Sequence, residues 1–143
     1  MRFWDSSAVV PLLLPGAAAG ALLMHLERDP DMLVWWGTSV ECASALARRE
    51  REGSLSDEDA MQAAEKLRGL ALEWQEVLPV ESVRTTAHRL LRLHPLRAAD
   101  ALQLAAASVT AEGDPSALPF VCLDERLAEA VRREGFPVLP RKR

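Results

Sequence analysis

The 143-residue chain is short of lysine, histidine, cysteine and long apolar runs, and each shortage excludes something. Its only lysines are Lys66 and Lys142, neither placed for a phosphatase or phosphoacceptor site built on Asp5, which needs a lysine after a later strand. Ser6 and Ser7 follow Asp5 where such sites carry a second acid. His25, His88 and His94 share no metal-ligand spacing, so none reads as catalytic or as part of a histidine-built metal centre. Cys42 and Cys122 sit in apolar segments and form no Cys-x-x-Cys pair, which reads as two buried free thiols in a reducing cytoplasm. No apolar run reaches the roughly 20 residues of a membrane span, and Asp5, Ser6 and Ser7 interrupt the start before a leader could form. Neither the P-loop nor the dinucleotide glycine pattern is present.

What is present is an ordinary globular composition with 49% hydrophobic and 27% charged residues, enough for one domain with a real core. Residues 1–140 read as that domain and 141–143 as a basic tail, favoured as disordered over touching phosphates. The acids outnumber the bases by 21 to 17, against a protein that coats nucleic acid by charge alone.

Short continuous apolar runs alternate with helical patterns. "RFW" (Arg2 to Trp4), "MLVWW" (Met32 to Trp36), "EVLPV" (Glu76 to Val80), "LPFVCL" and "PVLP" read as strands, with Pro79 marking an edge or an early end. Helices are expected over Ser6 to Leu14, Ala17 to Arg28, "TSVECASALARRERE" and "LSDEDAMQAAEKLRGLALEW", the last capped by Ser56. Further helices are expected from Glu81 to Leu93, from Pro95 to about Thr110, and over "DERLAEAVRREG". Val40, Ala43, Leu46 and Ala47 are the expected inner face of the third helix, and Trp4, Trp35, Trp36 and Trp74 are expected in the core. The order predicts a three-layer α/β/α fold with a mostly parallel sheet of four to five strands, and such folds bind ligands at the strands' carboxyl ends.

Acids collect there. Asp5 and Asp124 directly follow strands, Glu41 falls in the first turn after one, and Asp100 opens an Ala- and Leu-rich helix. Each has a plain structural explanation. Asp5 and Asp124 suit helix N-caps, Thr38 and Glu41 spell a capping box, and Asp100 can pair with Arg97. Converging carboxylates, however, repel one another unless a cation joins them. An oxygen-only set without His or Cys suits Mg²⁺ or Mn²⁺, and the chemistry that follows is metal-assisted phosphodiester hydrolysis.

Four pieces in order, "FWDSSAVV", "TSVECASAL", "LRAADALQLAAA" and "FVCLDERLAEAVRREGF", make the chain resemble the PIN-domain family, and within it the VapC-type toxins of bacterial toxin–antitoxin pairs. The resemblance implies an Mg²⁺- or Mn²⁺-dependent endoribonuclease that cuts RNA, a VapB-type antitoxin that blocks the site, and a tendency to dimerise. It carries Asp5, Glu41, Asp100 and Asp124 onto the family's acidic quartet, with Asp5 and Asp100 as direct ligands and Glu41 and Asp124 acting directly or through water. Ser6 would support the site, and Arg48, two helical turns beyond Glu41, is a candidate RNA contact against the plainer role of a solvated surface arginine. Cys122 stands where the family commonly has Thr or Ser, and its thiol is expected to face the site beside Asp124. The rival readings are a PIN-fold binding or regulatory module without catalysis, and the Asp5-nucleophile phosphatase or phosphoacceptor already disfavoured.

Overall fold

The computed structural model describes residues 1–142; Arg143 of the basic tail lies outside the described residues. Five strands, β1 (Arg2–Trp4), β2 (Met32–Trp35), β3 (Gln75–Val77), β4 (Phe120–Val121) and β5 (Val138–Leu139), form one sheet in the order β3-β2-β1-β4-β5. All four pairings are parallel, so the sheet's carboxyl ends lie on one edge. The first-made strand is the central one. From β1 the chain runs outward through β2 to β3, then returns to place β4 on the other flank of β1. The strand order therefore reverses at the carboxyl end of β1, where a sheet of this kind opens a crevice.

The inner strands β1, β2 and β4 are buried on both faces, which explains their largely apolar character, whereas the edge strand β3 exposes Gln75 and Glu76. Successive side chains go to opposite sides. Phe3, Leu33, Trp35 and Phe120 enter one core, and Trp4, Met32, Val34 and Val121 enter the other. The second of these cores is covered by α1 (Ser6–Leu13), α2 (Ala17–Arg28), α3 (Thr38–Arg51) and α4 (Asp57–Glu73). The first is covered by α5 (Glu81–Leu93), α6 (Ala98–Ala111) and α7 (Glu125–Arg133). The result is the expected α/β/α sandwich. No single helix among the described residues is long and apolar enough to cross a membrane.

Several local expectations are corrected. α6 begins at Ala98 rather than Pro95, because Pro95 and Leu96 remain outside the helix and Arg97 takes the N-cap position. That start puts Asp100 at the third helical residue, its carboxylate 3.4 Å from the Arg97 backbone N–H. β3 stops at Val77, before Pro79, and is the edge strand that the proline predicted. The inner face of α3 is Thr38, Cys42 and Leu46, whereas Val40 is 67% exposed. Thr38, a polar residue outside the expected apolar stripe, faces inward and accepts the Gln103 amide at 3.0 Å. Trp4, Trp35 and Trp74 are core, the last donating its indole N–H to Glu76 at 2.9 Å, but Trp36 lies past the end of β2 and is exposed. Gly37 between Trp36 and α3 cannot carry a side chain: a Cβ there would sit 2.6 Å from the Trp35 indole nitrogen.

Candidate active site

Asp5, Glu41, Asp100 and Asp124 line one cleft of about 1000 Å³ at the carboxyl edge of the sheet, between the two helical layers. Asp5 closes β1 and caps α1, Glu41 comes from the first turn of α3, and Asp100 and Asp124 come from the starts of α6 and α7. The fold thus delivers one carboxylate from the central strand, one from the layer of α1 to α4 and two from the layer of α5 to α7. Asp5 lies at the floor, 4% exposed; Glu41 and Asp100 are half-buried and Asp124 is exposed.

The carboxylates are held in different ways. Asp5 Oδ2 accepts the Ser7 N–H at 3.1 Å, a local N-cap contact. Asp124 Oδ1 accepts the N–H groups of Arg126 and Leu127 at 3.0 and 3.2 Å, also as an N-cap. Glu41 is not the partner of a capping box, because α3 starts one residue earlier than that box requires, with Gly37 at the N-cap. Its Oε1 accepts the Ser6 hydroxyl at 3.2 Å and its Oε2 accepts the Gln103 amide at 2.8 Å. Ser6 therefore supports the site through Glu41.

Two further residues escaped the sequence reading. Gln103 is fully buried on α6; its Nε2 also donates to Thr38 Oγ1 at 3.0 Å, while its Oε1 has no partner. A glutamine inside the apolar run "ALQLAAA" was the available signal. The Ser7 hydroxyl accepts the N–H groups of Leu123 and Asp124 at 2.9 and 3.3 Å and so ties the turn after β4 to the start of α1. Cys122 is buried beside Asp5 in the core and does not itself line the cleft. Its thiol is 3.9 Å from Asp5 Oδ2, 3.7 Å from the Ser7 hydroxyl and 3.3 Å from the Asp124 carbonyl oxygen. Burial pushes the thiol up to about 12, so it stays protonated and contributes no reactive thiolate.

Three of the four carboxyls are held above their ordinary values. Burial, and more weakly the neighbouring Asp100 and Asp124, raise the Asp5 carboxyl to about 6. Burial raises Glu41 to about 7 against the lowering effect of its Gln103 and Ser6 bonds, with Asp5 and Asp100 adding repulsion. Asp100 is raised by burial and by Asp124. Among the described residues none of the four takes part in an ion pair.

Comparison with solved structures follows from this architecture. FitAcB from Neisseria gonorrhoeae superposes with a TM-score of 0.67 at 17% identity, covering 96% of this chain and 96% of that one. FitAB bound to an IR36 DNA fragment gives a TM-score of 0.67 at 15% identity, covering 97% of this chain and 94% of that one. The fold is PIN-like. No family model matches the sequence, and no curated relative does either. At these identities the likeness concerns the PIN-like fold alone: five parallel strands, seven α-helices and a crevice at the carboxyl edge.

The donor set of the cleft suits a hard divalent cation in chemistry, because Asp5, Glu41 and Asp100 are desolvated and repelled by their acidic neighbours, and none of the four acids has an ion-pair partner among the described residues. It is not drawn together as a finished cage. Among the described residues no three His, Cys, Asp or Glu side chains stand close enough to hold an ion as they are. Asp100 and Asp124 are turned toward their own helix starts instead.

Proposed function

We propose that this chain is a metal-dependent endoribonuclease of the VapC type, the toxin of a pair whose antitoxin covers the cleft. The observation that carries the reading is the convergence of Asp5, Glu41, Asp100 and Asp124 on one cleft with a buried, unpaired carboxylate at its floor. In this reading Asp5 and Asp100 hold an Mg²⁺ or Mn²⁺ ion, and Glu41 and Asp124 hold it directly or through water. When bound, the ion supplies an activated water and neutralises charge on the departing oxygen. The chain's own part is positioning. Ser6 and Gln103 each donate to one oxygen of Glu41 and fix its carboxylate at the cleft wall. Ser7 holds the backbone that carries Asp124. The arginines around the acids receive the phosphate backbone, Arg48 among them.

The PIN-like fold and the ordered sequence motifs support a toxin and an antitoxin partner; the DNA in the FitAB structure makes DNA a substrate to be tried beside RNA. A homodimer belongs to the same reading. A second reading, a PIN-fold binding module without catalysis, is favoured by one observation: each carboxylate already has hydrogen-bond partners and no ion cage is assembled. Purified protein incubated with structured RNA and DNA pools in Mg²⁺, Mn²⁺ or EDTA, beside Asp5→Asn, separates the two. Cuts that need the metal and vanish in the variant support the nuclease. Metal binding without cuts in either pool supports the binding module.

A further inference from the structure

The residue that follows β2 is an aromatic that the fold holds but does not bury. Trp36 continues the ladder one step past the strand, its backbone N–H donating to the Val77 carbonyl at 3.0 Å. Its indole joins neither core and is 52% exposed. Trp35 meets it edge-on, with ring centroids 6.5 Å apart and planes at 71°. The ring is therefore carried on fixed backbone beside a buried neighbour, with about half of it left to solvent.

Its place relative to the cleft follows from the start of α3. Gly37 is the N-cap, so Trp36 takes the position before the cap and Glu41 the fourth helical position. An apolar residue before a cap often packs against an apolar residue at that fourth position, because the two lie side by side. Here the fourth position is an acid whose two oxygens accept Ser6 and Gln103. Trp36 thus adjoins the Glu41 wall of the cleft and has no apolar partner at that position. The surface around it stays apolar. Val40, 67% exposed, lines the cleft itself. The pairing of Trp35 with Val77 puts Leu78 next to Trp36 in register, and Leu78 and Val80 are exposed as well.

We propose that Trp36 is a stacking platform for an unpaired base beside the reacting phosphate, and that it favours a purine there. The inference rests on the nuclease reading and names a residue outside the cleft that selects the sequence cut. Phosphate and base ask for different surfaces. The carboxylate cleft with its ion engages the backbone, whereas a neighbouring base needs a flat apolar face. An indole supplies that face, and such a stack is worth about tenfold or more in affinity per base. A purine overlaps the two-ring indole more fully than a pyrimidine does, which is the source of the preference. A protein is the poorer fit to this rim. It needs roughly 800 Å² on each partner, far more than one indole and three aliphatic side chains provide.

The test is fluorescence anisotropy with a fluorescein-labelled, mixed-sequence single-stranded RNA of about 20 nucleotides, a length that spans one binding site. The same oligonucleotide with abasic sugars through its central half is the comparison. Both are titrated with the wild-type chain in EDTA and with Asp5→Asn in Mg²⁺, each with and without Trp36→Leu or Trp36→Phe. Trp36→Leu keeps an apolar side chain and loses the ring, and should weaken binding of the intact RNA about tenfold. Trp36→Phe should recover most of it. On the abasic RNA the three side chains should bind alike, and the salt slope should not change, because the indole carries no charge. In an RNA pool with Mg²⁺ the wild type should cut beside purines, and Trp36→Leu should lose that preference. Circular dichroism melting checks that each variant folds. Trp36→Leu binding RNA as tightly as the wild type leaves the rim to a protein partner and overturns the platform. An equal loss on the abasic RNA, or no binding in either condition, also overturns it. Base-dependent binding through Trp36 without cleavage of RNA or DNA leaves the platform standing and removes the nuclease. Metal-dependent cleavage with the same cut-site preference in Trp36→Leu does the reverse.

Discussion

Glu41 and Asp124 line the same cleft, yet one is gripped from afar and the other from next door. Glu41 depends on Ser6 and Gln103, which lie 35 and 62 residues away in sequence. Asp124 is held by the N–H groups of residues two and three positions on. Capping stabilises a helix whatever else the acid does, so Asp124 is anchored even in a protein with no further use for it. Nothing in the local helix requires the Glu41 contacts. A half-buried carboxylate raised to about 7, bonded on both oxygens from two other elements, costs the fold stability. The difference separates an acid the fold wants from an acid the fold tolerates.

The largest expected effect is on stability against pH in the metal-free protein. Asp5 and Glu41 have ordinary values of 3.8 and 4.5 and are raised to about 6 and about 7 on folding. Between about pH 4 and 7 the folded state therefore keeps protons that the unfolded state has lost, and stability falls as pH rises. Asp5 alone, raised by roughly two pH units, accounts for about 3 kcal/mol across that window. Urea unfolding in EDTA at pH 4.5 and 7.5 checks the sign, and stability that rises with pH would break the account. Added Mg²⁺ should raise the melting temperature more at pH 7.5 than at pH 5, because protons and the ion compete for the same oxygens.

Next comes Gln103→Leu, which removes the grip on Glu41 and leaves the Asp124 cap untouched. It should cost about 1–2 kcal/mol in stability and lower metal affinity about tenfold or more, read by urea unfolding and titration calorimetry. Asp124→Ala serves as the counterpart. It should shorten α7 at its start and cost about 1 kcal/mol as a lost cap. If the two variants have the same balance of stability and metal affinity, the distinction between the acids disappears. Ser7→Ala leaves the Leu123 and Asp124 amides without their acceptor and should destabilise by about 1 kcal/mol. The smallest effect belongs to Cys122→Ser. A hydroxyl donates better than a thiol that lies 3.9 Å from Asp5, so metal affinity should rise severalfold at most, and a fall would assign the thiol a packing role only.

The same contrast accounts for what the sequence disclosed. Features that act within a few residues were legible: the Ser56 cap, the proline ending the edge strand, the capping acids Asp5 and Asp124, and the stop of α7 before Gly135. The strand set and the parallel sheet followed from apolar runs that do not alternate. What escaped depends on contacts between distant elements. The inner face of α3 is Thr38, Cys42 and Leu46, with Thr38 bonded to Gln103 from 65 residues away, whereas the apolar stripe pointed to Val40 and passed over Cys42. The start of α6 shifted past Pro95, and Trp36, adjacent to two buried strand residues, fell one position beyond the sheet. Gln103 and Ser7 were visible as residue types, but the bonds that make them matter cross 62 and 117 positions.

The central position of β1 bears on when the cleft can exist. The strand that leads into Asp5 is the first to be synthesised, but its two neighbours are β2 and β4, and β4 begins only at Phe120. Until that segment is available, β1 has one open edge, Ser7 has no amides to hold and Asp5 lacks Cys122 beside it. Pairings this far apart in the chain are slow to form, since the loop between them must close first. A ribosome partway through the message thus carries a chain with its first acid in place and no pocket to use it. Whatever chemistry the finished cleft supports has to wait for the last third of the chain.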